Sequence, residues 1–140
     1  MLTDKDYCDY ETCVALKELE YKVPTSAYYI TNDTTLYFVS NPFRGGYATD
    51  CFYSHNSLRE SVVTSNYIDA PTMWEVQKWL REVRNLYIEI TYYPACWTGK
   101  IYDLKEGDYI KGFTFFESFE EALHTLIKET VKILKENESI

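Results

Sequence analysis

The sequence predicts an α+β fold in the order α–ββ–α–βββ–α, with a mainly antiparallel sheet and helices packed on one face of it. Three observations carry that expectation. Between Asp69 and Tyr92 an apolar pattern of helical period gives way, almost without a loop, to one of period two. Short runs of β-branched and aromatic residues recur on both sides of this stretch, bounded by turn chemistry. A long apolar stripe then closes the chain after Ser118.

The first helix is expected from Asp9 or slightly earlier to about Glu20. Cys8, Thr12, Ala15, Leu16 and Leu19 fall on one side, and Tyr10, Val14 and Tyr21 lie nearly opposite. Pro24 prevents its continuation. Ser26–Thr31 and Thr35–Ser40 read as two strands, and Asn32-Asp33-Thr34 between them supplies a hairpin turn. Asn41 to Ile68 resists assignment. Asn41-Pro42 and Gly45-Gly46 mark turns, Ser57-Leu58-Arg59-Glu60 resembles a capping box, and Ser61-Val62-Val63-Thr64 reads as strand.

Thr72 is placed to cap the central helix, with Glu75 completing a capping box and Pro71 just ahead. Met73, Val76, Trp79, Leu80 and Val83 form its core stripe, and Asn85 suits a left-handed stop. From Leu86, alternation sets Leu86, Ile88, Ile90 and Tyr92 on one face and Tyr87, Glu89, Thr91 and Tyr93 on the other. Trp97–Leu104 and Tyr109–Phe116 complete a meander around the turn Lys105-Glu106-Gly107-Asp108. Gly99 and Gly112 inside these strands signal bulges or close backbone approaches. The last helix starts at Ser118 with Glu121 as its capping-box partner. Phe119, Ala122, Leu123, Leu126, Ile127, Thr130, Val131, Ile133 and Leu134 cover about half its girth, and the tail from Glu136 is expected to fray.

At 140 residues the chain is expected to be a single domain, residues 1–140. It contains no long apolar run and no apolar leader after its acidic start, so the expected setting is cytoplasmic and away from membranes. The net charge of −8 argues against a surface for duplex nucleic acid, which needs Lys and Arg to neutralise phosphates. Cys8, Cys13, Cys51 and Cys96 are spaced too unevenly for a disulfide scaffold and read as reduced thiols.

The segment Ala70-Pro71-Thr72, then Lys78-Trp79-Leu80-Arg81-Glu82-Val83 and Asn85, followed by Ile88-Glu89-Ile90, resembles small uncharacterised proteins of prophages and other mobile elements in gut anaerobic bacteria. The closing Phe119-Glu120-Glu121-Ala122-Leu123 run is similar to theirs as well. The resemblance covers about half of the chain. It implies a bacterial or phage setting and carries no activity, so it assigns no role to any residue.

Catalytic and metal chemistry find little support in the residues. Cys8-x4-Cys13 with Cys51-x3-His55 is the nearest approach to a metal signature, but two positions five apart on one helix project about 140° from each other and cannot chelate together. No nucleophile elbow, Walker loop or dinucleotide fingerprint occurs, so neither a cofactor nor a catalytic set is assigned. A pocket near the 41–68 segment using Arg44, Cys51 or His55 is the alternative reading, as a small-molecule-binding protein or enzyme. Lys78, Arg81 and Arg84 make a small basic ridge, for which packing of Arg81 over Trp74 gives an equally good account.

The compositional outlier is tyrosine, at 14 of 140 residues. Tyr joins a rigid apolar body to a polar tip and so suits half-buried sheet faces and recognition surfaces alike. The sequence therefore points to a non-enzymatic interaction protein acting on itself, as a homodimer, or on a protein partner. Trp74, Tyr87, Tyr93, Trp97 and Tyr102 are the candidates for its binding surface.

Overall fold

A computed structural model of the chain describes residues 3–31, 34–38, 67–92 and 94–138. They fall into two compact units, Met1–Thr72 and Met73–Ile140, each with its own three-stranded antiparallel sheet. The α+β class and the helix–strand order expected from sequence are present. The difference is that two sheets stand where one was expected, and the first of them includes an extra strand that begins at the end of the unassigned segment.

In the first unit, helix α1 (Tyr10–Glu18) begins at Asp9, whose Oδ1 accepts the Thr12 N–H at 2.9 Å. Cys8 thus precedes the helix rather than belonging to it, and its N–H is held by the Pro71 carbonyl at 3.0 Å. The helix ends in a Schellman motif: Glu20 donates to Lys17 O at 3.1 Å and Tyr21 to Leu16 O at 2.9 Å. Glu20 supplies the left-handed residue, with φ of 66°. Leu16 and Tyr21, the pair that this motif brings together, are both buried.

Strand β1 (Ala27–Ile30) pairs antiparallel with β2 (Leu36–Phe38) on one side and β3 (Tyr67–Asp69) on the other. The expected hairpin is present with shorter strands, and β3 was not expected. The register sets Ala27, Tyr29, Leu36, Phe38 and Ile68 on one face. Tyr10 of α1 meets Tyr29 edge-on at 5.5 Å on this face. Tyr28, Tyr37 and Tyr67 share the opposite face and touch: Tyr28 stacks on Tyr37 at 5.6 Å and meets Tyr67 edge-on at 6.0 Å.

In the second unit, helix α2 (Met73–Val83) buries Met73, Val76, Trp79 and Leu80, while Val83, counted on its core stripe, is 59% exposed in the last turn. Asn85 then takes φ of 58°, the left-handed stop that its side chain tolerates. Strands β4 (Leu86–Tyr92), β5 (Trp97–Asp103) and β6 (Asp108–Phe116) form the expected meander in the order β4-β5-β6. Helix α3 (Phe119–Glu138) starts at Ser118, whose Oγ accepts the Glu121 N–H at 3.0 Å. The Glu121 carboxylate reaches one residue beyond a standard capping box, to the Glu117 N–H at 3.0 Å.

Helix α3 lies across the sheet face that carries Leu86, Ile88, Ile101 and Gly99. A Cβ on Gly99 would collide with the Leu126 side chain, so glycine here permits the close approach of helix to strand. Leu123, Leu126 and Ile127 are buried against this face, and α2 packs beside α3 and β4. At the β6 edge Lys111 pairs with Glu129 of α3 at 3.2 Å. Both helices of this unit therefore sit on one face of its sheet.

Candidate functional site

The second sheet leaves its opposite face to polar and aromatic groups, and alternation decides which ones. Tyr87, Glu89 and Thr91 of β4 stand directly across from Tyr102, Lys100 and Thr98 of β5. These are favourable cross-strand partners: ring against ring, opposite charges, and hydroxyl against hydroxyl. Beyond β5, Tyr109 of β6 pairs with Tyr102 and Gly112 pairs with Lys100. The result is a ladder of three tyrosines across all three strands. Tyr87 and Tyr102 lie 6.4 Å apart between centroids, and Tyr102 and Tyr109 lie 6.0 Å apart.

Gly112 makes room for this ladder. A Cβ at that position would collide with the Tyr109 hydroxyl, so the Tyr109 ring lies across the glycine. Tyr87 and Tyr102 are half-buried and Tyr109 is 58% exposed. Their planes are inclined, by 32° between Tyr87 and Tyr102 and 69° between Tyr102 and Tyr109. The face is therefore not a flat plate for stacking bases or sugars. It offers ring faces, ring edges and hydroxyls in turn, flanked by one balanced pair of charges, Glu89 and Lys100.

The structure brings together two of the five residues expected to form a binding surface, Tyr87 and Tyr102. It places Trp97 on the helix-covered face, edge-on to Phe119 of α3 at 5.6 Å and to Tyr92 at 5.0 Å. Trp74 stands on α2, 41% exposed and outside the ladder. Tyr93 lies outside the described residues. Tyr109 belongs to the ladder but not to the expected set. A four-residue connection at Leu104–Gly107 was the signal that could have found it, because it fixes Asp103 opposite Asp108 and hence Tyr102 opposite Tyr109.

Other chemistry is sparse among the described residues. No three His, Cys, Asp or Glu side chains are grouped to hold a metal ion there. Cys8 and Cys13 are both buried, and the Cys13 thiol donates to the Cys8 carbonyl at 3.6 Å. Burial, with the neighbouring Cys8 second, pushes the Cys13 thiol well above its ordinary pKa, the reverse of an activated nucleophile. Arg44, Cys51 and His55 lie outside the described residues. A shallow open cleft of about 630 Å³ in the first unit is lined by Thr3, Asp4, Tyr29, Thr34, Thr35, Leu36 and Phe38, a set without a nucleophile–base pair. The basic ridge on α2 is partly engaged: Arg84 lies over the Trp79 ring at 5.7 Å and pairs with Glu138 at 3.1 Å. The cation–π contact thus involves Arg84 and Trp79, in place of the Arg81–Trp74 pair considered from sequence.

Compared with known proteins, the chain matches no family model, no curated protein and no solved structure. No helix among the described residues is long and apolar enough to cross a membrane.

Proposed function

We propose that this chain is a non-enzymatic interaction module of a bacterial mobile element, and that the face bearing Tyr87, Tyr102 and Tyr109 docks a protein partner. The observation that supports this reading most is the ladder itself. Three tyrosines from three strands converge on a face that the unit's own helices leave to them, and each keeps part of its ring in water. Tyrosine is enriched where one protein recognises another because it offers large contact area for the loss of only two side-chain torsions. The mobile-element setting follows from the resemblance of the Ala70–Ile90 block.

Native mass spectrometry on the protein purified from a bacterial host reads subunit count and retained mass together. The expected result is a retained protein whose occupancy falls at least about tenfold in the Tyr87→Ser/Tyr102→Ser double variant, a loss of ~1.4 kcal/mol or more. The thermal midpoint should stay nearly unchanged. A large drop in midpoint with retention intact would show that these rings are packing, and a small-molecule mass on a bare chain would favour the pocket reading.

A further inference from the structure

Strand β6 is the outer strand of its sheet: it pairs with β5, and among the described residues no strand pairs with its other side. Its 9 residues thus keep a row of backbone donors and acceptors to which another strand can add. The strand is also exposed along nearly all its length while carrying large apolar groups, with Tyr109 at 58%, Ile110 at 38% and Phe115 at 82%. Phe115 is costly twice over. Its φ of 68° is left-handed, a conformation that bulky side chains rarely adopt, and its ring stands in water. Such strain persists where another interaction offsets it.

We propose that a second copy of this chain pairs with β6, antiparallel across a two-fold axis at Gly112, joining two three-stranded sheets into one. The residues of the strand are disposed for this about Gly112. Phe115 and Tyr109, its two most exposed rings, stand on either side at equal separation, so the axis sets each against the other. Lys111 and Phe113 flank Gly112 directly. Their cation–π contact, 5.2 Å within one chain, is repeated between chains. Ile110 faces Thr114, and Gly112 faces its own image.

Charge agrees with this register. The whole chain carries −8, yet within β6 Asp108 and Lys111 cancel, and across the axis they oppose Phe116 and Phe113. Moving the axis to Lys111 would set Lys111 against itself, and a one-residue slip would bring opposite sheet faces into register. The irregularities in β6 lie at Ile110 and between Phe113 and Phe116, on either side of Gly112, so the axis sets one against the other. A single added strand buries less than a standard interface of ~1,600 Å², so the dimer is weak and concentration-dependent. It also unites two tyrosine ladders across the axis, since the Tyr109 rings lie over the central glycines. The pairing does not depend on what docks on the ladder face.

Sedimentation velocity over a concentration series tests the proposal. Wild type should pass from monomer to dimer. Phe115→Gly should move that midpoint at least about tenfold higher, or ~1.4 kcal/mol, while raising the thermal midpoint by relieving the left-handed phenylalanine. Ile110→Lys should also oppose dimerisation, whereas Tyr87→Ser should leave it unchanged. A wild type that stays monomeric up to its solubility limit overturns the pairing, as does a dimer that Phe115→Gly leaves intact. A dimer broken by Tyr87→Ser but not by Phe115→Gly assigns self-association to the ladder face and removes the edge.

Discussion

The two sheets use the same residue to opposite ends. Each is three-stranded and antiparallel, and each carries three touching tyrosines on one face: Tyr28, Tyr37 and Tyr67 in the first, Tyr87, Tyr102 and Tyr109 in the second. In the first unit tyrosine also builds the interior. Tyr7, Tyr21, Tyr29 and Tyr67 are all buried, and the Tyr29 hydroxyl donates to the Cys8 carbonyl at 2.9 Å. The Tyr7 hydroxyl similarly shares a 2.6 Å hydrogen bond with Ser26 Oγ. In the second unit the interior is mainly aliphatic, built from Leu80, Leu86, Ile88, Ile101, Leu123, Leu126 and Ile127 with Trp79 and Phe116, and none of its described tyrosines is buried. A buried tyrosine needs a partner for its hydroxyl, whereas one at a sheet surface has water. A high tyrosine content therefore says nothing about recognition until burial separates the two uses.

The largest effect should come from the aliphatic interior. Leu126→Ala removes a fully buried side chain beneath α3 and should cost about 2–5 kcal/mol in chemical denaturation. Because Leu126 fills the space above Gly99, adding Gly99→Ala to that variant should recover part of the loss, although Gly99→Ala alone should destabilise. Strict additivity of the two would show that the close approach is not what glycine serves.

Next in size is the test that separates the two kinds of tyrosine. Tyr29→Phe removes the donor to Cys8 O and should cost about 1 kcal/mol, while Tyr102→Phe should change stability by less than about 0.5 kcal/mol. Equal effects in parallel melts would erase the distinction.

About as large is the expected gain from Glu20→Gly. It replaces a left-handed glutamate at the end of α1 and should add about 0.5–1 kcal/mol, read as a higher denaturation midpoint.

The last expected effect lies at alkaline pH. Burial raises the Tyr29 phenol and the Cys13 thiol above their ordinary values, so both stay protonated in the fold after they would ionise in the unfolded chain. Their contribution is complete below the unfolded values and is lost as pH climbs past about 9–10. Tyr29→Phe should therefore flatten the alkaline limb of a stability–pH profile. A limb unchanged in the variant would place the titration elsewhere.

Local pattern determined a good part of this protein. The cap at Asp9, the stop at Asn85, the switch from helix to strand at Leu86 and the start of α3 at Ser118 are consequences of neighbouring residues, because caps and periodicities act over a turn or two of chain. The alternation that assigns Tyr87 to one face and Leu86 to the other is equally local. What tertiary structure decided is which faces receive a cover and which strands meet. Tyr67–Asp69 became a strand because β1 offered it an edge, and Val83 lost its place in the core because the last turn of α2 runs to the surface. Glu20 adopted a glycine-like conformation without being glycine, since the Schellman bonds and the buried Leu16–Tyr21 pair hold it there. Trp97 and Tyr102 stand on opposite faces of one strand by alternation, and the arrival of α3 on one side decides which of them is a packing ring and which a ladder ring. Long-range packing makes that choice, and no window of sequence contains it.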